Sequence, residues 1–367
     1  MFETSKENIM EYDLKRIAGH FRIEGELVGI KTNNQGHINN TFVSEFETPS
    51  GIAKYTHQRI NTNVFHSPQE VMENIWAVTE HIKGVLRNRY DDISMRCLTV
   101  VRTLDDKLLF EDSDGGFWRT YHYIDNVTTF DTIADQTQAR LLGEAIGDFQ
   151  LELSDLDGSA LHQTIPHFHD MEMRYRQLDK SIAEDCCGRL SSVREEVDFL
   201  QTNRARGRIL WDCMENGEVP MRVTHNDTKM NNVLFSQDGS EALCVIDLDT
   251  VMPGTILFDT GDMIRTATNT ACEDETDLDK VTCNVDLHKA LLAGYRSRAA
   301  SFLTPRENEL IVESGRCITQ IMAVRFLTDY IAGDKYYQIT HPSHNLDRSR
   351  TQIRLMQDMD RKWDVLC

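Results

Sequence analysis

Apolar and polar residues alternate along six short segments in the first third of the chain. A period of two places successive side chains on opposite faces, so each segment is predicted to be a strand with one buried face. The Asp- and Gly-rich stretch 112–116 between two of these segments favours a turn. The predicted strands cover residues 27–31, 41–46, 52–60, 99–104, 107–111 and 117–124.

Helical spacing of apolar residues separates the two sets of strands. Ser67, Pro68 and Glu70 predict a helix N-terminus with a capping box, and Val71 and Ile75 begin an apolar face. One helix is therefore expected within an otherwise strand-rich region.

The remainder of the chain is predicted to be mostly helical, interrupted by short strands at 222–224 and 242–246. Helices are expected at 138–153, about 170–184, 190–216, 286–301 and 305–332, and near 348–363. We therefore predict an α+β protein with a β-rich N-terminal lobe, 1–124, and a larger helical C-terminal lobe, 125–367.

The densest polar cluster lies at 224–232, and an apolar segment leading to Asp247 follows it. Asp227 offers a carboxylate that could orient the proton of an attacking hydroxyl. Asn232 and Asp247 offer the hard oxygen ligands that suit Mg²⁺ beside nucleotide phosphates. The alternative is a pair of Asx-rich turns that flank strands.

These residues resemble the aminoglycoside phosphotransferase and choline kinase superfamily, which shares the two-lobed architecture of protein kinases. More narrowly, the chain is similar to the N-acetylhexosamine 1-kinases over about residues 15–356. The segments that carry the resemblance are 36–39, 57–61, 167–170, 224–229, 246–254, 258–262, 325–330 and 351–353.

The resemblance implies Asp227 as catalytic base and Asn232 with Asp247 as Mg²⁺ ligands. Asp249 is implied as a further metal ligand or as a group that supports the ligands. The acceptor would be an N-acetylhexosamine phosphorylated on O1 and bound by His37, Asp227, Arg325 and Tyr336.

ATP is the expected co-substrate. The resemblance places its phosphates under a turn that contains Gly36, Asn39 and Thr41, and its adenine against the backbone near Tyr123 and Ile124. The turn is not a Walker loop, because it lacks the Gly-Lys-Ser/Thr ending.

Protein kinases hold the phosphates with a strand lysine paired with a helix glutamate. The corresponding strand has no lysine at that point, so Arg59 is the predicted cation, with Lys54 too early and Glu73 a weak candidate for its partner. The alternative for Arg59 is an outward-facing strand residue.

The 59 acidic and 39 basic residues give a net charge of −20, which argues against nucleic acid or an anionic membrane as a partner. Nine scattered cysteines without a Cys-x-x-Cys motif, and a start that does not resemble a signal peptide, favour a cytoplasmic protein. His167 and His169 are read as loop residues, with a metal role as the alternative. Monomer and homodimer both remain open.

Two other functions stay open. The chain could be another kinase of the superfamily, acting on an aminoglycoside, choline, homoserine or a different sugar. It could also be an inactive kinase-like module that binds a nucleotide, although Asp227, Asn232 and Asp247 are all present.

Overall fold

The computed structural model describes residues 12–33 and 38–367. The chain packs into two compact units. The first contains residues up to Val127 together with 160–165 and 246–251, and the second contains 128–159, 166–245 and 252–367. Two short segments from later in the sequence thus belong to the first unit. The predicted boundary at residue 124 assigns both segments to the C-terminal lobe.

The first unit is built on an antiparallel sheet with the order β1-β2-β3-β6-β4, and β5 pairs over two residues with the edge of β6 that faces away from β3. Its strands agree with the predicted alternation, although β4 and β5 are only two residues long. The elements are α1 (Leu14–Ala18), β1 (Glu26–Asn33), β2 (Asn40–Thr48), β3 (Gly51–Arg59), α2 (Pro68–Leu86), β4 (Val100–Val101), β5 (Phe110–Glu111) and β6 (Phe117–His122).

The two faces of this sheet differ in chemistry. Phe42, Tyr55 and Trp118 point to one face and pack with α1 in an aromatic and aliphatic core. Gln58 and Arg119 are directly opposite each other on β3 and β6 and therefore share the other face. One face is apolar, and the other carries buried polar groups.

His57 forms a polar bridge within the apolar face. Its Nε2 lies 2.7 Å from Ser44 Oγ on β2, and its Nδ1 lies 2.8 Å from Thr120 Oγ1 on β6. Burial lowers the pKa of His57 to about 4. The ring is therefore neutral at pH 7 and joins three strands through hydroxyl groups.

A pH-dependent loss of stability follows from this bridge. The unfolded histidine takes up a proton near its ordinary pKa of 6.5, whereas the folded one does not until about pH 4, so acid favours the unfolded chain. Lowering the pH from 7 to 5 should reduce the stability advantage of the wild type over His57→Gln by about 2 kcal/mol. Urea denaturation of both proteins at the two pH values measures this, and an unchanged difference would contradict it.

Helix α2 begins at Pro68, but the predicted capping box is wrong. Ser67 makes no side-chain capping bond, and its ψ is 79°. At Thr304, where a complete capping box with Glu307 does form, ψ is 156°. The backbone of Ser67 thus departs from the extended conformation that caps usually adopt.

The second unit is mainly helical. After β7 (Val127–Thr128), which lies at the boundary of the units, the chain forms α3 (Gln136–Glu152), α4 (Met171–Glu184), α5 (Arg194–Gly207), α6 (Ile209–Glu215), β8 (Arg222–Thr224), β9 (Val233–Ser236), β10 (Ala242–Val245), β11 (Met252–Gly254), α7 (Ile256–Thr268), α8 (Val285–Ala299), α9 (Pro305–Ile331), α10 (His344–Arg361) and α11 (Trp363–Leu366). This arrangement confirms the predicted α+β class.

Two helical predictions need correction. The single helix expected at 190–216 is divided after Gly207, where a Cβ would come within 2.4 Å of Gln320 Nε2 on α9. Helix α7 was not predicted at all. Among the described residues, no helix combines the length and the apolar character needed to cross a membrane.

Candidate active site

Asp227 lies in the loop that follows β8, and short hydrogen bonds fix its position. Its main-chain N–H donates to His225 Nδ1 at 3.2 Å. Asn232 Nδ2 donates to the main-chain oxygen of Asp227 at 2.8 Å and to its Oδ2 at 2.9 Å. Lys229 Nζ is 3.0 Å from the same Oδ2. The structure thus brings two of the predicted site residues, Asp227 and Asn232, into direct contact.

The electrostatics of the loop keep Asp227 ionised. Burial alone would raise the pKa of this carboxyl. The positive charge of Lys229, the neighbouring His225 and the bond from Asn232 outweigh burial and lower the pKa below its ordinary value. An ionised carboxylate that is held in one orientation can accept a hydrogen bond from an acceptor hydroxyl.

Asp259, at the start of α7, anchors this loop and was missed as a functional residue. Its carboxylate accepts the main-chain N–H of His225 at 3.0 Å and that of Asn226 at 2.7 Å, and Gln150 Nε2 donates to it at 3.1 Å. Asn226 has a left-handed φ of 68°, which these bonds stabilise. Asp259 is fully buried, and burial raises its pKa despite these donors.

The donor chemistry of Asn232 fits a hard cation. Because its Nδ2 is bonded to Asp227, its carbonyl oxygen points away from this bond and can serve as a ligand. Among the described residues, no group of three His, Cys, Asp or Glu side chains is arranged to hold a metal. Ligation of Mg²⁺ by the amide oxygen of Asn232 and the carboxylate of Asp247 stays a prediction from the sequence.

Asp247 and Asp249 belong to the first unit, where Asp247 immediately precedes a short 3₁₀ turn, Leu248–Thr250, and Asp249 lies within it. Asp247 has a left-handed backbone, with φ 62° and ψ 54°, that few non-glycine residues adopt. Asp249 is buried and accepts bonds at both carboxylate oxygens, from Asn39 at 2.6 Å and from Arg119. These bonds favour the supporting role for Asp249 over direct metal ligation.

The predicted ATP-binding residues fall into two groups. Gly36 lies outside the described residues, as does His37, which is predicted to bind the acceptor. Asn39 and Thr41 are buried at the start of β2, and Asn39 Oδ1 also accepts the main-chain N–H of Asn61 at 3.0 Å. The start of β2 is thus tied to the end of β3.

The connection after β6 contains Tyr123 and Ile124. The main-chain N–H of Tyr123 donates to the Lys54 carbonyl at 3.0 Å, so a contact of adenine with Tyr123 would use another backbone group, and the adenine site stays a prediction. The Tyr123 ring is partly exposed and lies 5.8 Å from Lys54 Nζ, whereas Ile124 is buried. Lys54 forms an ion pair with Asp125 at 2.5 Å.

The side chain of Arg59 does not lie on the polar face of the sheet, where Arg119 contacts Asp249. Arg59 is paired across the sheet with Trp118, so its side chain extends over the apolar face, 5.5 Å from the Tyr12 ring. Burial would raise the pKa of Asp112, but the hydrogen bonds that its carboxylate accepts, and then the charge of Arg59, lower it below its ordinary value. The buried cation next to Asp249 is instead Arg119, which sequence reasoning overlooked.

The predicted acceptor residues Arg325 and Tyr336 come together in the second unit. The guanidinium carbon of Arg325 lies 5.4 Å from the Phe168 ring, 5.9 Å from Tyr336 and 5.5 Å from Tyr337. Tyr336 is 64% exposed, so a ligand can reach it. The main-chain N–H groups of residues 335–337 all donate to the Asp329 carboxylate at 2.9 Å, which fixes this turn.

A second arginine approaches Arg325 from α4. Arg174 donates to the main-chain oxygens of His167 and Phe168, at 3.3 and 3.0 Å. Burial first, and then the nearby positive charge of Arg325, lowers the pKa of Arg174 to about 10. Within the described part of the chain, neither Arg174 nor Arg325 forms an ion pair with a carboxylate.

The two histidines near Arg174 have different surroundings. His167 is exposed, and its Nδ1 lies 2.7 Å from Asp170. His169 is buried between the rings of Phe168 and Phe258, at 4.6 and 4.9 Å, and burial lowers its pKa to about 3. Ring contacts therefore run from Phe258, next to Asp259, through His169 and Phe168 to Arg325.

Comparison with known proteins identifies the family and the fold. The model of the phosphotransferase enzyme family, APH, matches residues 90–300, more than half of the chain. The microcompartment-associated aminopropanol kinase has a similar structure, with a TM-score of 0.62 at 13% identity over 95% of this chain and 97% of that one.

Two phosphotransferases with known structures are also similar. Spectinomycin phosphotransferase APH(9)-Ia, in complex with ADP and spectinomycin, has a TM-score of 0.55 at 12% identity over 94% of this chain and 93% of that one. An aminoglycoside phosphotransferase from Alicyclobacillus acidocaldarius has a TM-score of 0.56 at 12% identity over 92% and 90%. These likenesses confirm the predicted kinase-like fold, with an antiparallel sheet in its N-terminal lobe and a larger helical C-terminal lobe. The chain belongs to the phosphotransferase enzyme family.

Proposed function

We propose that this phosphotransferase transfers the γ-phosphoryl group of ATP to O1 of an N-acetylhexosamine, such as N-acetylglucosamine or N-acetylgalactosamine. Membership of the family supports the reaction class. The resemblance of segments 224–229 and 246–254 to the N-acetylhexosamine 1-kinases supports the acceptor. The product would be the sugar 1-phosphate.

The observation that carries this choice of acceptor is the charge around Arg325. Two neighbouring guanidinium groups, those of Arg174 and Arg325, form no ion pair at hydrogen-bonding distance among the described residues and therefore disfavour a cationic ligand. Choline and aminoglycosides are cations, so they suit this surface poorly. A neutral sugar offers hydroxyl and acetamido oxygens, which are acceptors for guanidinium donors. The aromatic rings of Tyr336 and Phe168 supply apolar contacts for the acetamido methyl group.

In the proposed reaction, Asp227 accepts a hydrogen bond from the O1 hydroxyl and takes its proton as O1 attacks the γ-phosphorus. The new bond joins O1 to phosphorus, the bond to the β-phosphate oxygen breaks, and ADP leaves. Asp259 contributes by holding the loop that carries Asp227. We assign Asn232 and Asp247 as the residues that would hold Mg²⁺. When bound, Mg²⁺ supplies the positive charge that offsets charge on the phosphates.

A panel of acceptors tests this proposal. Wild-type protein with Mg-ATP should release ADP with N-acetylglucosamine or N-acetylgalactosamine and not with choline, kanamycin or homoserine. Arg325→Met should raise the KM for the sugar by about 10-fold or more and leave the KM for ATP unchanged, because it removes donors that only the acceptor uses.

Arg176→Met on α4 is the matched control, because Arg176 is 74% exposed and makes a surface ion pair with Glu172. Its KM values should equal those of the wild type. Turnover of choline or an aminoglycoside in preference to the sugars would replace the proposed acceptor. Binding of ATP without turnover of any acceptor would favour an inactive nucleotide-binding module.

A further inference from the structure

A closed ring of hydrogen bonds crosses the polar face of the sheet in the first unit. Arg119 donates from Nε to Gln58 Oε1 at 2.9 Å and from Nη1 to Asp249 Oδ1. Gln58 Nε2 donates to Thr41 Oγ1 at 3.1 Å, and Asn39 Nδ2 donates to Asp249 Oδ2 at 2.6 Å. Thr41 Oγ1 in turn lies 3.5 Å from the Asn39 carbonyl and closes the ring.

The ring joins segments that are far apart in the sequence. Asn39 immediately precedes β2 and Thr41 lies at its start, Gln58 and Arg119 belong to the neighbouring strands β3 and β6, and Asp249 follows Asp247 by two residues. Because Asp247 has a left-handed backbone, contacts around it must hold that conformation. The bonds to Asp249 hold the adjacent turn.

The charges of the ring are enclosed. The side chains of Arg119 and Asp249 are 2% and 4% exposed. An apolar pair of similar size would often be no less stable in such a position, because both charges must lose their water. Stability alone therefore does not account for an ion pair at this position. The hydrogen bonds from Arg119 to Gln58 and from Asn39 to Asp249, in contrast, require polar or charged side chains.

We propose that Arg119 is the positioning residue of the ATP-binding site. Through Asp249, it holds Asn39 and the segment that carries Asp247 in the arrangement that binds the phosphates of Mg-ATP. Arg119 and Asp249 thus provide the pair of strand cation and acid that sequence reasoning sought at Arg59 and Glu73. This inference rests on the proposed use of ATP.

The test separates positioning from simple stabilisation. Arg119→Met should lower the melting temperature, because it leaves Asp249 buried without its cation, and should weaken binding of Mg-ATP by about 10-fold or more. The double variant Arg119→Met with Asp249→Leu should regain much of the melting temperature but keep the weak ATP binding and the raised KM for ATP. Arg119→Lys keeps the charge and should recover part of the affinity.

Calorimetric titration with Mg-ATP, without an acceptor, measures the affinity, and Arg22→Met, in an exposed ion pair of the same unit, is the control. Wild-type affinity in the double variant would overturn the inference. Should that variant fail to fold, Asn39→Ala serves in its place, and unchanged ATP affinity in a folded Asn39→Ala protein would equally overturn it. If the wild type itself bound no ATP, the proposed function would be wrong, and the inference would fall with it.

Discussion

Asp227→Asn should lower kcat by about 10³-fold or more and leave the affinity for ATP within about 3-fold of the wild type. The substitution keeps the shape of the side chain but removes the carboxylate that Lys229 and Asn232 hold ionised and oriented. Without that negative charge, the hydroxyl of the acceptor has no base. Steady-state rates of ADP release, together with calorimetric titration of ATP, measure the two quantities.

Asp198→Asn provides the matched control, because Asp198 is exposed on α5 in the same unit. It makes the same chemical change away from the loop and should retain full activity. Retention of more than a tenth of the wild-type kcat in Asp227→Asn would contradict the assignment of Asp227 as the base.

Asp259→Ala should reduce kcat by about 100-fold or more although Asp259 is not proposed to touch either substrate. Its removal leaves the N–H groups of His225 and Asn226 without their acceptor in a buried position. Each such group costs about 1–3 kcal/mol. The loop should therefore relax, move Asp227 from its position and lower the free energy of unfolding.

Asp358→Ala distinguishes loss of catalysis from loss of stability. Asp358 is another buried carboxylate of the second unit, and it accepts the main-chain N–H of Cys283 at 2.7 Å. Both alanine variants should be less stable in urea denaturation, but only Asp259→Ala should lose its kcat. Equal kcat values in the two variants, measured well below their melting temperatures, would show that Asp259 has no special role in positioning the loop.

Periodicity predicts much of this fold because most elements bury one side. Strand β2 and helix α3 follow that rule, and their buried positions alternate or repeat clearly. Helix α7 does not. Asp259 and Asp262 are spaced as on one helical face but are buried beside apolar residues, so the polar residues of this helix do not mark a side exposed to solvent.

The candidate site divides in the same way. The spacing of Asp227 and Asn232 suggests their chemistry because both lie in one loop, and the structure joins them directly. The Arg119–Asp249 pair spans 130 residues and depends on strand order, which no local pattern contains. A signal against Arg59 was nevertheless present, because Arg59 has the same parity on β3 as the buried Tyr55 and thus points to the apolar face.

The most direct test of the proposed function is identification of the product. Wild-type protein incubated with Mg-ATP and N-acetylglucosamine or N-acetylgalactosamine, followed by ³¹P and ¹H NMR, should show a phosphate ester whose phosphorus couples to the anomeric proton. Asp227→Asn should form none. A phosphate attached to any other carbon of the sugar, or no sugar phosphate while another acceptor is consumed, would contradict the assignment of an anomeric N-acetylhexosamine kinase.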